Sequence, residues 1–259
     1  MGSSPTVPIL QNKMTTHFLT YGDGLFAKRK RVLATEILNS GYPIEHIYAW
    51  DRNNISEFYS QHKKFMDTES CSGRFIWKPY VILKILNRIP YGDFLIYLDS
   101  GCSVINKGKR KRDRDLRYDE YFEILNKVKV PILPFCPHWD NEHKYSQKDL
   151  PEFILDHFNL NNNAFKNSPA FEAGFLIMKK TDEVISIIEE WLSLMIDNDY
   201  FLIKNNISAD QGVLNAMWYV KGLSVLFGMD FYGQGPFFAG RYTDIGQKEG
   251  WTNESLIID

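Results

Sequence analysis

The sequence predicts an α/β protein with a central mixed, mostly parallel sheet flanked by helices. Strand-like and helix-like segments alternate along the chain, the order that builds such a sheet. Phe94–Leu98 is an unbroken apolar run closed by Asp99, as expected of a central strand buried on both faces. No internal repeat or low-complexity linker divides the 259 residues, a length that suits one large domain.

The elements follow in order. Thr16–Tyr21 is rich in β-formers and ends at Gly22-Asp23-Gly24, so it reads as a first strand and its turn. Phe26–Asn39 carries Val32, Leu33, Ile37 and Leu38 at helical spacing and closes at Ser40-Gly41. His46–Trp50 is a second strand that delivers Asp51, and Ser56–Met66 reads as a helix. Pro79 suits the first turn of a helix reaching Arg88, where its missing donor costs nothing. After Phe94–Leu98 comes a basic loop, Lys107–Arg117, then a helix over Tyr118–Val128 and a strand over Pro131–Phe135. Phe175–Met178 is another strand, and Asp182–Met195 and Asp210–Lys221 are helices.

Composition removes several function classes. The net charge of −2 gives no global attraction to nucleic acid. No stretch approaches the ~18 apolar residues of a membrane span, and the polar Met1–Pro8 lacks the apolar core of a signal peptide. Residues 1–14 are expected to be a disordered or tag-like segment ahead of a domain over 15–259. Cys71, Cys102 and Cys136 are odd in number and lack metal-ligand spacing, which predicts reduced thiols in a cytoplasmic protein, or in a domain of a longer chain. Aromatics make up 15% of the residues, so flat faces are available for a sugar or base as well as for the core.

Asp99 is the strongest chemical candidate. A carboxylate following a buried strand needs water, a cation or donors, and the carboxyl ends of strands are where α/β sheets bind ligands. Two roles are open: a turn or cap aspartate with Ser100-Gly101, or a ligand to a divalent metal that bridges to a diphosphate. Asp210 likewise suits either a helix N-cap or a site carboxylate, and Asp51 either a turn or a ligand contact.

Ile96–Cys102 (IYLDSGC) resembles the Y-L-D-x-[DG] signature of GT-A glycosyltransferases. Phe75–Lys84 (FIWKPYVILK) resembles a W-K-P-Y block of their capsular-polysaccharide and viral members, and His17–Gly24 their first strand. Tyr118–Phe122 is similar to an E-Y-F helix start. Phe171–Ile177 (FEAGFLI) and Ala209–Asn215 (ADQGVLN) are similar to blocks of the retaining galactosyl- and glycogenin-type transferases.

These pieces lie in the family's order over roughly residues 15 to 220. The resemblance implies a single GT-A (Rossmann-like) domain, its nucleotide-binding half at 1–130 and its acceptor-side half at 131–259. It implies transfer of a hexose, galactose or glucose, from a UDP-sugar to a glycan hydroxyl, with retention favoured. Donor contacts are implied at Thr20, Tyr21, Gly22, Asp23, Asp51, Lys78, Asp99, Ser100, Gly101 and Gln211, with Asp210 and Glu172 as catalytic carboxylates. Mn²⁺ or Mg²⁺ would sit on Asp99. His138, Trp139 and Asp140, in a proline-stiffened loop, are candidates for the acceptor. Gly101 departs from the family's second carboxylate, and no histidine follows His157 to match a carboxy-terminal metal ligand, so metal use rests on Asp99, water and phosphates, or is absent. Two other readings remain: an inactive nucleotide-sugar-binding module, and an NAD-dependent oxidoreductase suggested by the G-x-G-x-x-A spacing of Gly22–Ala27.

Overall fold

The computed structural model describes residues 14–106, 110–136, 150–203, 209–223, 226–227 and 235–238. Among these residues the main sheet has six strands, β1 (Thr16–Tyr21), β2 (His46–Trp50), β3 (Phe94–Leu98), β5 (Ile132–Cys136), β6 (Glu172–Lys179) and β7 (Leu226–Phe227). Their order is β2-β1-β3-β6-β5-β7. β1 is parallel to β2 and β3, β5 is parallel to β7, and β6 runs antiparallel between β3 and β5. The sheet is therefore mixed but mostly parallel, as expected, with β6 alone reversed. β4 (Ser103–Val104) and β8 (Phe237–Phe238) form a separate antiparallel pair.

Side-chain alternation along the strands divides the core into two layers. Phe18, Ile96, Leu98, Phe175 and Ile177 face α1 (Ala27–Asn39) and α5 (Lys111–Leu125). Leu19, Tyr21, Leu95, Tyr97, Leu176 and Met178 face the other layer. That layer holds α2 (Ser56–Thr68), α4 (Trp77–Leu86), α6 (Glu152–His157), α7 (Asn163–Lys166), α8 (Asp182–Ile196) and α9 (Ala209–Val220), with the short α3 (Ser70–Arg74) between α2 and α4. β3 is buried along its whole length, which accounts for its apolar run.

Local chemistry sets the ends of these elements. Thr181 caps α8 by accepting from the Val184 N–H, and Asp182 and Glu183 add negative charge in its first turn. The expected basic loop is helical from Lys111, where α5 begins, and its residues 107–109 lie outside the described residues. Its mixed charges pair along the helix, Lys111 with Asp115 and Arg117 with Glu120, the spacing that supports a solvated helix. Leu38 does not join the core of α1 and is 72% exposed, whereas Arg29 and Lys30 are buried. Arg29 donates to the Cys102 carbonyl at 2.7 Å and Lys30 to Asp51 at 2.9 Å, so polar partners draw these two inward. Among the described residues, no helix is long and apolar enough to cross a membrane.

At the amino edge of the sheet, His17 bonds Asp93 at 3.1 Å, lies 3.4 Å from the Tyr48 hydroxyl and stacks on His46. Burial lowers its pKa, and His46 adds to this against the Asp93 bond. Burial also lowers His62, which pairs with the Tyr200 hydroxyl at 2.7 Å. Each histidine takes up its proton near 6.5 when unfolded and only at lower pH when folded. Their contribution is therefore complete above that value and shrinks as pH falls below it. Urea melts should show a lower midpoint at about pH 5.5 than at about pH 7.5, and an unchanged midpoint would contradict this.

Candidate active site

The carboxyl ends of β1, β2 and β3 meet the amino end of β6 at one edge of the sheet. Here three residues far apart in sequence converge. Lys78, in the first turn of α4, reaches Asp210 in the first turn of α9 at 2.5 Å and Asp99 at 3.2 Å. Lys78 is 2% exposed and Asp210 4%, while the Asp99 side chain keeps 33% of its surface. Asp99 is thus the open member of a buried cluster. Its second oxygen accepts from the Tyr97 hydroxyl at 2.5 Å.

The electrostatics follow from this enclosure. Burial alone would drive the Lys78 ammonium toward neutrality, but Asp210 and Asp99 outweigh it and hold the pKa above the usual lysine range. Burial raises the Asp210 carboxyl, with Lys78 opposing. A solvated lysine is the ordinary fate of that residue type; here it is a fixed internal cation. Asp210 lies inside the first turn of α9 rather than capping it, and its carboxylate is committed to Lys78.

The remaining candidates divide by location. Ser100 and Gly101 continue from Asp99 in a tight turn closed by the Cys102 N–H on the Asp99 carbonyl at 2.8 Å, and both are buried. Glu172 opens β6 and is 7% exposed. Gln211 follows Asp210 in α9 and is half-buried.

Thr20 and Tyr21 end β1 within the core, the Tyr21 ring stacked on Trp77 at 4.1 Å. Both hydroxyls are buried and have no hydrogen-bond partner among the described residues. Gly22 is tightly enclosed, since a Cβ there would lie 2.5 Å from the Phe26 carbonyl. Asp23 caps the short 3-10 turn Gly24–Phe26 and pairs with Arg52 at 2.7 Å. Asp51 caps the turn Arg52–Ile55 in a reciprocal capping box and pairs with Lys30. Both aspartates therefore act as turn formers here. With the Asp23 carboxylate already seated on the Gly24 N–H, the turn after β1 does not present the open helix terminus that a dinucleotide pyrophosphate uses. His138, Trp139 and Asp140 lie outside the described residues.

Several supporting residues carried little signal in the sequence. Asn215, buried in α9, bonds both the N–H and the carbonyl of Phe171 at 2.9 Å and so ties α9 to the start of β6. It lies inside the ADQGVLN block, one turn after Gln211, where only the resemblance of the block pointed to it. Trp191 donates to the Asp210 carbonyl at 3.2 Å. Arg29, from the other layer, holds the loop after Asp99 through Cys102.

Among the described residues, no three His, Cys, Asp or Glu side chains gather as a metal cage. The cluster does set two carboxylates against one ammonium, with Asp99 as its exposed oxygen donor. That donor set fits a hard divalent cation which takes one carboxylate and completes its shell from water and phosphates.

Removing one partner from a buried ion pair leaves the other charge uncompensated. Lys78→Met should therefore cost about 3–5 kcal/mol in denaturant unfolding, and Lys78→Met combined with Asp210→Leu should recover most of it. Equal loss in the single and double variants would show that the pair does not act as one unit.

No family model matches the chain, and no curated protein does. Solved structures similar to it include a glycosyltransferase involved in the glycosylation of the major capsid of PBCV-1. That structure is 10% identical, with 93% of this chain and 98% of that one covered and a TM-score of 0.46. Another is the galactosyltransferase LgtC in complex with donor and acceptor sugar analogues, 13% identical over 82% of this chain and 73% of that one, with a TM-score of 0.44.

Proposed function

We propose that the chain is a GT-A-type glycosyltransferase that moves a hexose, galactose or glucose, from a UDP-sugar to a hydroxyl of a growing glycan. The observation that carries this reading is the Asp99–Lys78–Asp210 cluster at the carboxyl end of the central strand, with Asp99 as its open face. The motif resemblance around Asp99, Lys78 and Asp210 supports it.

Asp99 would hold a divalent cation, which supplies positive charge to the diphosphate as it departs. Lys78 keeps Asp99 in place and adds a fixed positive charge beneath it. Such preorganised charge stabilises a leaving anion without reorganisation during the reaction. The acceptor oxygen bonds to the anomeric carbon as the bond from that carbon to the diphosphate oxygen breaks.

The acceptor proton needs a destination. Asp210 and Glu172 are both buried, and Asp210 is bound to Lys78, which makes them poor bases for a hydroxyl arriving from solvent. The proton therefore goes to the departing phosphate on the same face, and the product keeps the donor's configuration. Asp210 and Glu172 then act in placing the donor. His138, Trp139 and Asp140 remain the proposed acceptor contacts.

The wild type should release UDP from UDP-glucose or UDP-galactose in the presence of Mn²⁺. Asp99→Ala should lower that rate by ~100-fold or more while circular dichroism stays unchanged. Undiminished turnover in the variant would remove Asp99 from the reaction, and calorimetry showing binding of NAD but not UDP would overturn the donor assignment.

A further inference from the structure

A single-carboxylate metal site makes unusual demands on that carboxylate. Where two ligands share the work, each can tolerate some rotation; a lone ligand must be held in position by its neighbours. Asp99 has such neighbours. Tyr97 stands two residues earlier on β3, hence on the same face, and its hydroxyl donates to one carboxylate oxygen at 2.5 Å. The ring is fully buried, so the hydroxyl has a fixed address.

The second neighbour is a glycine. Gly174 on β6 accepts the Asp99 N–H through its carbonyl at 2.8 Å. A Cβ built on Gly174 would lie 2.6 Å from the other carboxylate oxygen of Asp99, and its three nearest atoms all belong to that side chain. The Gly174 backbone is not in the left-handed region. The position thus excludes a side chain for one reason: it seats the Asp99 carboxylate.

Resting on the donor-site reading above, we infer that Tyr97 and Gly174 are positioning residues that hold Asp99 ready to receive a divalent cation together with a nucleotide diphosphate. They replace, by rigidity, the second carboxylate that Gly101 does not provide. Asp99 alone is too sparse a cage to retain the ion without the diphosphate, so metal and nucleotide strengthen each other's binding.

The test is calorimetry with UDP, with and without Mn²⁺, on the wild type, Tyr97→Phe and Gly174→Ala. Mn²⁺ should tighten UDP binding to the wild type. In both variants the metal-free affinity for UDP should stay as in the wild type, while the tightening by Mn²⁺ falls by ~10-fold or more. A purely structural role would lower UDP binding equally with and without the metal. Should Gly174→Ala fail to fold, Tyr97→Phe decides alone, since it removes only a hydroxyl. Wild-type tightening retained in Tyr97→Phe overturns the inference. A wild type that binds UDP equally with and without Mn²⁺ overturns it too but leaves the donor site standing. Absence of UDP binding under both conditions overturns the donor site and this inference together.

Discussion

The buried Lys78 ammonium is the constraint on which the site depends. A charge enclosed to 2% exposure persists only if it is paired and hydrogen-bonded. Here its partners come from the end of β3 and the first turn of α9. The first turn of a helix favours anions over cations, so Lys78 stands where the α4 terminus itself disfavours it. Two carboxylates reverse that balance. The consequence is mechanical as well as electrostatic: α4, β3 and α9 cannot shift apart without exposing an unpaired charge, so the cluster fixes the geometry of the edge where Asp99 opens outward.

β6 makes this arrangement possible. Because it runs against β3, it brings its own beginning, Glu172–Gly174, beside the carboxyl end of β3 rather than its amino end. A parallel strand at that place would have delivered its last residues instead. The start of β6 is in turn tied to α9 by Asn215 on Phe171, and α9 to α8 by Trp191 on Asp210. The start of β6, α9 and α8 are therefore tied to one another beside the site by side-chain bonds to the backbone.

How much of this was legible in the sequence follows from the range of the interactions involved. The strands and most helices were readable because their patterns are local; Phe94–Leu98 announces a central strand by composition alone. Asp99 was readable because a carboxylate after such a run requires an explanation. The start of α5 was missed because its stability comes from charge pairs such as Lys111 with Asp115, which in a sequence look like any solvated charge run. The burial of Lys78 was not legible from its own neighbourhood, since the partner that retains it lies 132 residues away. Tyr97 was noted only as the tyrosine of the Y-L-D resemblance, because its aromatic ring suits a buried strand so well that no role for its hydroxyl suggests itself. At Asp23 and Asp51 the local capping and ion pairs are what the structure shows of both side chains, the turn role that a strand-end aspartate suggests by itself.

The approach to Lys78 carries the clearest strain in the fold. Cys71, Ser72, Gly73, Arg74 and Phe75 all have positive φ, a left-handed run that costs roughly 1–2 kcal/mol for each residue other than glycine. Such strain persists only where surrounding contacts over-determine it. Those contacts are present: Gly73 is pressed against Phe65 and Met66 of α2, where a Cβ would come within 3.1 Å of both, and the Trp77 indole donates to the Cys71 carbonyl. The strained turn brings α4 in at an angle that buries Lys78 and lays the Phe75 ring 4.9 Å from its ammonium. The strain and the buried charge are thus two sides of one solution, in which local cost is accepted to place a fixed cation beneath Asp99.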